Sequence, residues 1–340
     1  MRTAVVILNW NTREYLDAFV PEILLSLGGE DALYVADSGS SDGSLELLAQ
    51  KYPQVRQIPL GENKGFTGGY NEALSGIDAQ FYLLLNSDVL VSDDWLAPLA
   101  EWMDSHPDCG ICAPKLLALD RGSDGGWCKA DRFEYAGAAG GHLDYFGYPY
   151  CRGRVLSRVE KDHGQYDTPC EVFWASGAAL MIRSELWRAL GGFDARFFAH
   201  MEEIDLCWRA QTLGWKACVV PQSVVYHIGG GTLPSKSAFK LKLNYRNSLW
   251  MLRKNLPSAV GPFRARVRIA FRSFLDYLCA SVYLLTGKRE YAYAVVQAHR
   301  EARKSKADPF RGTCRVRPDG GLLLLGYLKV LARQGGRVHK

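Results

Sequence analysis

The chain has 340 residues and a net charge of +5, and its 48% hydrophobic and 23% charged residues predict a globular protein of one large domain plus an appendage. They exclude a membrane-spanning protein, because no run approaches the roughly 20 apolar residues of a transmembrane helix. The opening residues MRTAVVILNWNT argue against a secretory signal, since polar residues follow a brief apolar run without a small-residue cleavage site.

The nine cysteines indicate reduced thiols in a cytoplasmic protein, because their number is odd and no export signal is visible. Cys109 and Cys112 form a C-x2-C pair, and Cys128 follows 16 residues later, which is one arrangement for a zinc site. The surrounding stretch CGICAP is mostly apolar, however, and is more typical of a buried strand.

Strands and helices alternate through the first 90 residues of the chain. Apolar runs of strand length and intervening helical patterns predict, in chain order, a strand at 4–10, a helix to 27, a strand at 33–37, a helix at 45–52, a strand at 55–60, a helix at 67–76 and a strand at 81–85. This alternation predicts a doubly wound α/β sheet with mainly parallel strands. Between 120 and 168 the periodicity disappears, which indicates loops or an irregular hairpin over one face.

Polar side chains follow three of these strands, at the sheet edge where ligands bind in doubly wound folds. They are Asn9 and Asn11, then Asp37, then Asn86, Ser87 and Asp88. Asp37 is either a turn or N-cap residue or a carboxylate that accepts a hydrogen bond from a nucleobase. Asp88 follows an apolar strand, where a divalent cation would sit with a diphosphate.

The stretch GENKGFTGGYNEAL, residues 61–74, resembles a phosphate-binding loop in its glycine content but is not a P-loop, since it lacks G-K-[ST]. Its glycines at 65, 68 and 69 allow close backbone approach at a helix start. No G-x-G-x-x-G follows the first strand, which argues against a dinucleotide-dependent dehydrogenase.

These segments together resemble a known family. VVILNWN, VADSGSSDGS, ENKGFTGGYNEAL, LLLNSDV, ASGAALMIRSELWRALGGFDARFFAHMEEIDLCWRAQTLGW and VVYHIGGGT are similar to successive motifs of family-two inverting glycosyltransferases. The similarity is to the rhamnosyltransferase-like branch, which builds bacterial surface polysaccharides, and it covers residues 3–255. It implies the GT-A fold, a nucleotide-diphospho-sugar transferase fold.

The resemblance implies a role for each matching residue. Asp37 would bind the imide N–H of uracil or thymine, and Asp88 with His227 would hold Mg²⁺ or Mn²⁺, since NSD stands where the family has a D-x-D motif. From the residues alone, a His after an apolar run is more often structural. The remaining implied positions are Asn9, Asn11, Asn63, Gly65, Asn71, Asn86 and Ser87 for the donor, and Trp174, Ser176 and Gly177 for the acceptor.

The stretch FFAHMEEIDLCWRA, residues 197–210, concentrates three carboxylates at the start of a predicted helix. Acidic residues in a first helical turn are favoured by the helix dipole, and Asp205 is spaced to pair with Arg209. The helix dipole and this pairing account for one or two of the three carboxylates. In the family the second acidic position is the general base, which implies Glu203 as the base, with Glu202 and Asp205 beside it in the catalytic group.

The resemblance ends near residue 255, which predicts a catalytic domain at 1–255 and a basic, largely helical extension at 256–340. From residue 261 onward there are 17 Lys or Arg and 5 Asp or Glu, a balance of +12, which leaves −7 for the first 260 residues. The segments GPFRARVRIAFRSFLDYLCASVYLL and GLLLLGYLKVLARQGGR mix basic and apolar residues. They suit peripheral contact with the anionic inner face of the cell membrane, and equally a helical appendage packed on the main domain. No nucleic-acid-binding fold accompanies the charge, so nucleic acid is not the expected partner.

The implied activity is inverting transfer of a sugar from a dTDP- or UDP-linked donor to a hydroxyl of a saccharide or lipid-linked acceptor. Two other classes remain. A sugar-nucleotide pyrophosphorylase would need a Gly- and Arg-rich loop after the first strand, where NWNTREYL has no glycine. A non-catalytic nucleotide-sugar-binding or assembly protein would keep Asp37 and Asp88 without a base, and Glu203 argues against it.

Overall fold

Three apolar runs and one more polar segment near the start of the chain form neighbouring parallel strands. They are β1 Thr3–Asn9, β2 Ala32–Asp37, the polar β3 Arg56–Pro59, and β4 Phe81–Asn86. The computed structural model describes residues 1–155, 158–229, 237–305 and 308–318. In the order β4-β1-β2-β3, Asn9 lies opposite Asp37, and Leu8 lies opposite Asn86. The register therefore brings the polar strand ends to one sheet edge, as the sequence predicts.

Helices cover both faces of this sheet because each presents an apolar stripe to it. Their bounds are α1 Arg13–Leu25, α2 Ser44–Lys51, α3 Gly65–Ser75, α4 Ala97–Ser105 and α5 Ser184–Leu190. Two large clusters of buried apolar side chains pack against the sheet. The third helix begins two residues earlier than its periodicity suggests, since Gly65 at φ 72° opens it.

The other half of the sheet is mixed. It contains β5 Val89–Val91, β6 Cys109–Arg121, β7 Trp127–Phe133, β12 Cys170–Glu171, β13 Ala179–Arg183 and β14 Lys216–His227. Strand β13 is antiparallel to both β4 and β6, whereas β6 and β14 are parallel. The predicted mainly parallel sheet is confirmed, and the antiparallel strand within it has no signal in the local sequence.

The segment without periodicity forms short strands rather than a structureless loop. Four of them, β8 Gly141–Leu143, β9 Pro149–Cys151, β10 Arg154–Val155 and β11 Arg158–Val159, make a small antiparallel sheet. Two- and three-residue strands are too short for an alternating pattern to be visible, which is why the sequence gives only an irregular hairpin here.

The last described part of the chain is helical. After α6 Glu202–Thr212 come α7 Ala238–Val260, α8 Pro262–Leu285 and α9 Arg289–Lys304, which pack on one another. Helix α7 runs across the predicted boundary at 255, and the division into 1–255 and 256–340 stays a proposal. The basic segment GLLLLGYLKVLARQGGR lies outside the described residues. Among the helices that the structure describes, none is long and apolar enough to cross a membrane.

The cysteines of the suggested zinc site are far apart. Cys109 and Cys112 are buried near the start of β6, whereas Cys128 is exposed and pairs with Asp120 near the other end of that strand. Eight residues of strand separate Cys112 from Asp120, which is about 25 Å at the usual strand rise. The three thiols therefore cannot bind one zinc ion, and CGICAP is the buried strand that its composition suggests.

Candidate active site

Asp37 and Asn9 form a buried network where β1 and β2 end. Asn9 Nδ2 donates to Asp37 Oδ2 at 2.6 Å, and the backbone N–H groups of Gly39 and Ser40 donate to Asp37 Oδ1 at 3.1 and 2.8 Å. Asp37 is only 2% exposed, so part of its role is to hold the turn after β2. Each carboxylate oxygen has a second lone pair. The turn role and the nucleobase role are therefore compatible.

Asp88 and His227 come together although 139 positions separate them in the chain. Strand β5 pairs with the end of β14, and this brings His227 Nε2 to 3.1 Å from Asp88 Oδ1. Glu134, just after β7, places Oε1 at 3.6 Å from His227 Nδ1. Burial disfavours a charged imidazole, but the Asp88 and Glu134 carboxylates outweigh it and raise the pKa of His227 above its usual value.

The donor atoms at this point suit Mg²⁺ or Mn²⁺. Two neighbouring ligands of an octahedral ion lie about 3 Å apart, which matches the separation of His227 Nε2 and Asp88 Oδ1. The buried His227 Nδ1 has no hydrogen-bond partner. In the part of the chain that the structure describes, no group of three or more His, Cys, Asp or Glu is arranged to hold a metal. An ion held by Asp88 and His227 would therefore take its remaining ligands from water or from a diphosphate.

Glu202 and Glu203 open helix α6, as predicted, but they are buried rather than solvated. Glu202 is 5% exposed and Glu203 is partly buried, and one carboxylate oxygen of each, Oε2, has no hydrogen-bond partner. Burial raises the pKa of Glu203 to about 7, against the opposing effect of backbone N–H groups at the helix start. Burial and then the charge of Glu203 raise the pKa of Glu202 well above its usual value. Burial thus favours the protonated form of Glu202, and Glu203 is poised to accept a proton near neutral pH.

Asp205, the third carboxylate, faces away from this pair and is fully buried in ion pairs. Its Oδ2 accepts from Arg209 Nε at 2.7 Å and from Lys254 Nζ at 2.9 Å, and its Oδ1 accepts from Asn255 Nδ2 at 2.8 Å. Burial alone would raise the pKa of Asp205, but the two cations and these hydrogen bonds lower it. Asp205 thus ties α6 to α7, and the catalytic role predicted for it stays a prediction.

The backbone before α6 is strained. Phe198, His200 and Met201 have φ values of 65°, 72° and 72°, a region that non-glycine residues occupy at a cost of about 1–3 kcal/mol each. Asn247 of α7, fully buried, holds this segment by donating from Nδ2 to the carbonyl oxygens of Phe197, Ala199 and His200 at 2.8–2.9 Å. Asn247, together with Arg246, whose Nη2 donates to the Phe197 carbonyl at 3.2 Å, therefore holds the turn that places Glu202 and Glu203.

We expect Asn247→Ala to lower the free energy of unfolding by about 1–3 kcal/mol, because it removes the Nδ2 donor from the partly buried carbonyl groups of Ala199 and His200. It should also lower kcat more than it raises the KM of the donor, because it frees the turn before Glu203. Asn244→Ala is the matched control, since Asn244 donates only within its own helix, to the Lys240 carbonyl at 2.9 Å. Thermal unfolding and steady-state kinetics measure both effects, and equal behaviour of the two variants would contradict the assignment.

The predicted acceptor residues form a wall beside Glu203. A Cβ placed on Gly177 would lie 3.6 Å from Glu203 Cβ, so only a small residue leaves this approach open. Ser176 is buried and its Oγ donates to the Ala136 carbonyl at 3.4 Å, two residues from Glu134. Trp174 Nε1 donates to the His142 carbonyl at 3.0 Å, which fixes the indole against β8. Gly177 thus borders Glu203, and Ser176 bonds to the segment that carries Glu134, the neighbour of His227.

The other predicted donor-site residues have mixed placements. Asn63 Oδ1 accepts from the Gly65 N–H at 2.9 Å, at the start of α3. Asn71 uses its whole amide on the backbone of Phe193, with two hydrogen bonds of 2.9 Å, so it has a structural role here. Asn11 is exposed, while Asn86 and Ser87 lie at the end of β4 beside Asp88. Asn9 is fully buried and likewise uses its whole amide, since Nδ2 also donates to Ser40 Oγ at 3.0 Å and Oδ1 accepts from Thr12 Oγ1. The donor-binding roles predicted for Asn9 and Asn71 therefore stay predictions.

Sequence reasoning missed two of these residues. Glu134 lies in the segment without periodicity, so only the β6–β7 pairing reveals that it reaches His227. Asn247 lies within LKLNYRNSLW, an ordinary helical pattern, and the one available signal was a buried polar residue on an apolar helix face. The roles of Glu134 and Asn247 depend on contacts with residues more than 40 positions away in the chain.

Comparison with known proteins gives a family match and a set of relatives. Residues 4–151 match the profile of Glycosyl transferase family 2. The predicted family is confirmed over these residues. The N-acetylglucosaminyl-diphospho-decaprenol L-rhamnosyltransferase of Mycobacterium tuberculosis is 26% identical over 234 residues, 66% of this chain and 75% of the relative. The similarity to a rhamnosyltransferase agrees with the branch that the motifs resemble.

Solved structures share the fold. The mannosyltransferase PcManGT of Pyrobaculum calidifontis, in complex with GDP-Man and Mn²⁺, superposes with a TM-score of 0.54 at 14% identity, over 89% of this chain and 87% of that one. The structure of GalNAc-T7 with UDP, GalNAc and Mn²⁺ superposes with a TM-score of 0.54 at 16% identity. The superposition covers 74% of this chain and 47% of GalNAc-T7. The predicted nucleotide-diphospho-sugar transferase fold is therefore confirmed.

Proposed function

Since the chain contains a glycosyl transferase family 2 domain, we propose that it is an inverting glycosyltransferase that uses a nucleotide-diphosphate sugar as its donor. The observation that carries the proposal is the Glu203 carboxylate. It is partly buried beside Gly177 with a pKa of about 7, and Ser176 bonds to the segment that carries Glu134, the neighbour of His227. A base near the acceptor residues and ligands for a divalent cation near the donor suit group transfer between a hydroxyl and a diphosphate ester.

Asp88 and His227 would hold Mg²⁺ or Mn²⁺ together with the diphosphate of the donor. The ion, when bound, offsets negative charge on the departing nucleoside diphosphate. Two structures of the same fold contain Mn²⁺ with a nucleotide or a nucleotide sugar, which supports this assignment. Those two contain UDP and GDP-Man, so the fold alone does not choose the base.

Glu203 then acts as general base. Its carboxylate removes the proton of an acceptor hydroxyl while the hydroxyl oxygen forms a bond to the anomeric carbon of the donor. The bond from that carbon to the diphosphate oxygen breaks on the opposite face, so the configuration inverts without a covalent enzyme intermediate. Burial and the charge of Glu203 raise the pKa of Glu202, which favours its uncharged form beside the base.

The acceptor is a hydroxyl of a saccharide or of a lipid-linked saccharide, and the donor sugar is a hexose or deoxyhexose carried by dTDP or UDP. The similarity to a rhamnosyltransferase whose name specifies a diphospho-decaprenol acceptor supports this choice. The proposal includes a role in surface polysaccharide synthesis and peripheral contact with an anionic membrane.

A donor screen tests the activity directly. The full chain is incubated with Mn²⁺, a saccharide acceptor series and dTDP-, UDP- and GDP-sugars, and the anomeric configuration of any product is read by NMR. Transfer with inversion is expected. Retention of configuration would overturn the mechanism, and ligand binding without transfer from any donor would favour a non-catalytic sugar-nucleotide-binding protein.

We expect Asp37→Ala to weaken binding of UDP or dTDP by about 1.5–3 kcal/mol, because it removes a charged hydrogen-bond acceptor from the base. Since Asp37 also holds the turn after β2, the matched control is Asp42→Ala. Asp42 likewise accepts backbone N–H groups, from Arg13 and Ser44 at 2.9 and 3.1 Å, but lies beyond the strand end. Isothermal titration calorimetry measures both variants. Equal losses for Asp37→Ala and Asp42→Ala would reduce Asp37 to a turn residue.

A further inference from the structure

Helix α8 exposes a continuous apolar stripe along its whole length. Its seven members are between 47% and 87% exposed: Phe263, Val267, Phe271, Phe274, Leu278, Val282 and Leu285. Their spacing of three and four residues confines them to an arc of about 100° that runs for roughly 33 Å along the helix. Large apolar side chains scattered singly need no explanation, but an aligned row of this length marks an interaction surface.

The opposite side of α8 is packed and accounts for its one acidic residue. Asp276, fully buried, accepts from Arg272 Nε at 2.9 Å and Tyr148 Oη at 2.9 Å, and it lies 3.2 Å from His299 of α9. This cluster fixes α8 against α9 and against the loop between β8 and β9. The stripe is therefore held outward by the fold and is not a core face left open by chance.

The surroundings of the stripe are basic. Arg264 and Arg266 are exposed on α8 on either side of it. Where α9 begins, Lys288 and Arg289 are exposed with one acidic residue, Glu290, so the cations outnumber the anions. The polar residue within the arc, Ser281, donates its hydroxyl to the Tyr277 carbonyl at 3.0 Å, so it can enter an apolar medium without losing a partner. An apolar row with satisfied polar groups and flanking cations is complementary to an anionic lipid surface.

The stripe is also joined to the predicted acceptor wall. Phe271 stacks on Phe146 of the β8–β9 loop with ring centroids 4.9 Å apart, and Arg268 lies over the exposed ring of Tyr145 at 3.7 Å. Strand β8 at the other end of that loop pairs with Trp174, since the Gly141 N–H donates to the Trp174 carbonyl at 2.9 Å. A membrane contacted by α8 would therefore lie on the acceptor side of the molecule.

We propose that the exposed face of α8, with Tyr145 and the flanking basic residues, docks flat on an anionic lipid bilayer. This inference rests on the proposed function only in assuming a lipid-linked acceptor. Binding to lipid is measured without catalysis, so it can be tested separately. The sequence of the C-terminal segment, residues 319–340, carries four Lys or Arg and one Asp, so charge disfavours it as the occupant of this basic face.

Vesicle co-sedimentation of the full chain tests the proposal. It should bind vesicles of phosphatidylcholine with phosphatidylglycerol, and bind them less at high salt and on phosphatidylcholine alone. The variant F263S/F274S/L285S should lose at least about ten-fold in partition coefficient, because three of the most exposed apolar side chains no longer enter the lipid. Leu25→Ser is the control, since Leu25 is exposed to a similar degree on α1.

A second variant separates charge from apolar contact and has no buried side chain to disturb. R264Q/R266Q should lose about ten-fold or more on anionic vesicles and little on neutral ones. Equal sedimentation of wild type and F263S/F274S/L285S overturns the proposal. The proposal is also overturned if the wild-type chain binds no vesicles and instead forms a dimer that the same substitutions dissociate. Vesicle binding that appears only after truncation at Pro318 would overturn it as well. Transfer to a water-soluble acceptor without vesicles tests the proposed function independently.

Discussion

Glu203→Gln should reduce kcat by about 10²–10⁴-fold while donor affinity stays within a few-fold of wild type. Gln has the same size and keeps hydrogen bonding, but its amide cannot accept a proton from the acceptor hydroxyl. The carboxylate is the only part of the side chain that changes, so the loss reports proton transfer rather than packing. Steady-state kinetics with saturating acceptor, together with donor titration by calorimetry, separate kcat from binding.

Glu202→Gln is the matched control for this variant. Burial and the neighbouring charge raise the pKa of Glu202 well above its usual value, which favours its neutral form, and an amide of the same shape replaces that form closely. We expect Glu202→Gln to keep more than about a tenth of wild-type kcat. Glu203→Asp, which restores the residue usual in the family, should retain partial activity. If Glu202→Gln or Asp205→Asn were inactive while Glu203→Gln was active, Glu203 would not be the general base.

The pH dependence of kcat/KM should also report the ionisation of Glu203. Burial raises the pKa of Glu203 to about 7, so kcat/KM should be half-maximal near that pH and fall about ten-fold per unit below it, as the base becomes protonated. The contribution of Glu203 to the free energy of unfolding changes with pH in the opposite direction to its activity. A folded-state pKa above the unfolded value stabilises the fold at acid pH, and that contribution is lost as pH rises through 7. Glu203→Gln, neutral at every pH, should therefore gain in Tm over wild type at pH 8 relative to pH 5.

Much of the fold follows from the sequence because it is encoded locally. The apolar runs ending at Asn9, Asp37 and Asn86 have strand length and alternate with amphipathic segments, and parallel pairing then brings their ends to one edge. The start of α6 at Glu202 is equally local, as a cluster of acidic residues before an apolar helical pattern.

The rest depends on contacts that no local pattern contains. His227 meets Asp88 only because β14 pairs with β5, and Glu134 joins them from a segment without periodicity. The carboxylates of 202, 203 and 205 look alike in the sequence, yet the fold leaves Oε2 of the first two without a hydrogen-bond partner and pairs the third with Arg209 and Lys254. Burial and long-range ion pairs, rather than residue type, therefore separate a candidate base from a structural anion.

Asp88→Asn should lower kcat/KM by at least about 100-fold and abolish the effect of Mn²⁺ on donor binding. The substitution keeps the size of the side chain but removes the negative charge that a divalent ion requires beside His227. It also leaves the buried imidazole without its carboxylate partner, so the wild-type fold is checked by thermal unfolding of the variant. Asp93→Asn is the control for a lost charge, because Asp93 is exposed a few residues further along the chain.

Donor titration with and without EDTA gives the decisive comparison. In the wild type, EDTA should weaken donor binding to the level of Asp88→Asn, and added Mn²⁺ should restore it. In Asp88→Asn, neither EDTA nor Mn²⁺ should change the Kd, since the ion has lost its anionic ligand. His227→Gln should behave in the same way if the imidazole is a ligand, whereas a merely structural histidine would leave the Mn²⁺ response intact. Donor binding in the wild type that is indifferent to EDTA would show that Asp88 and His227 form a structural ion pair, and that the charge of the leaving diphosphate is offset by cationic side chains instead.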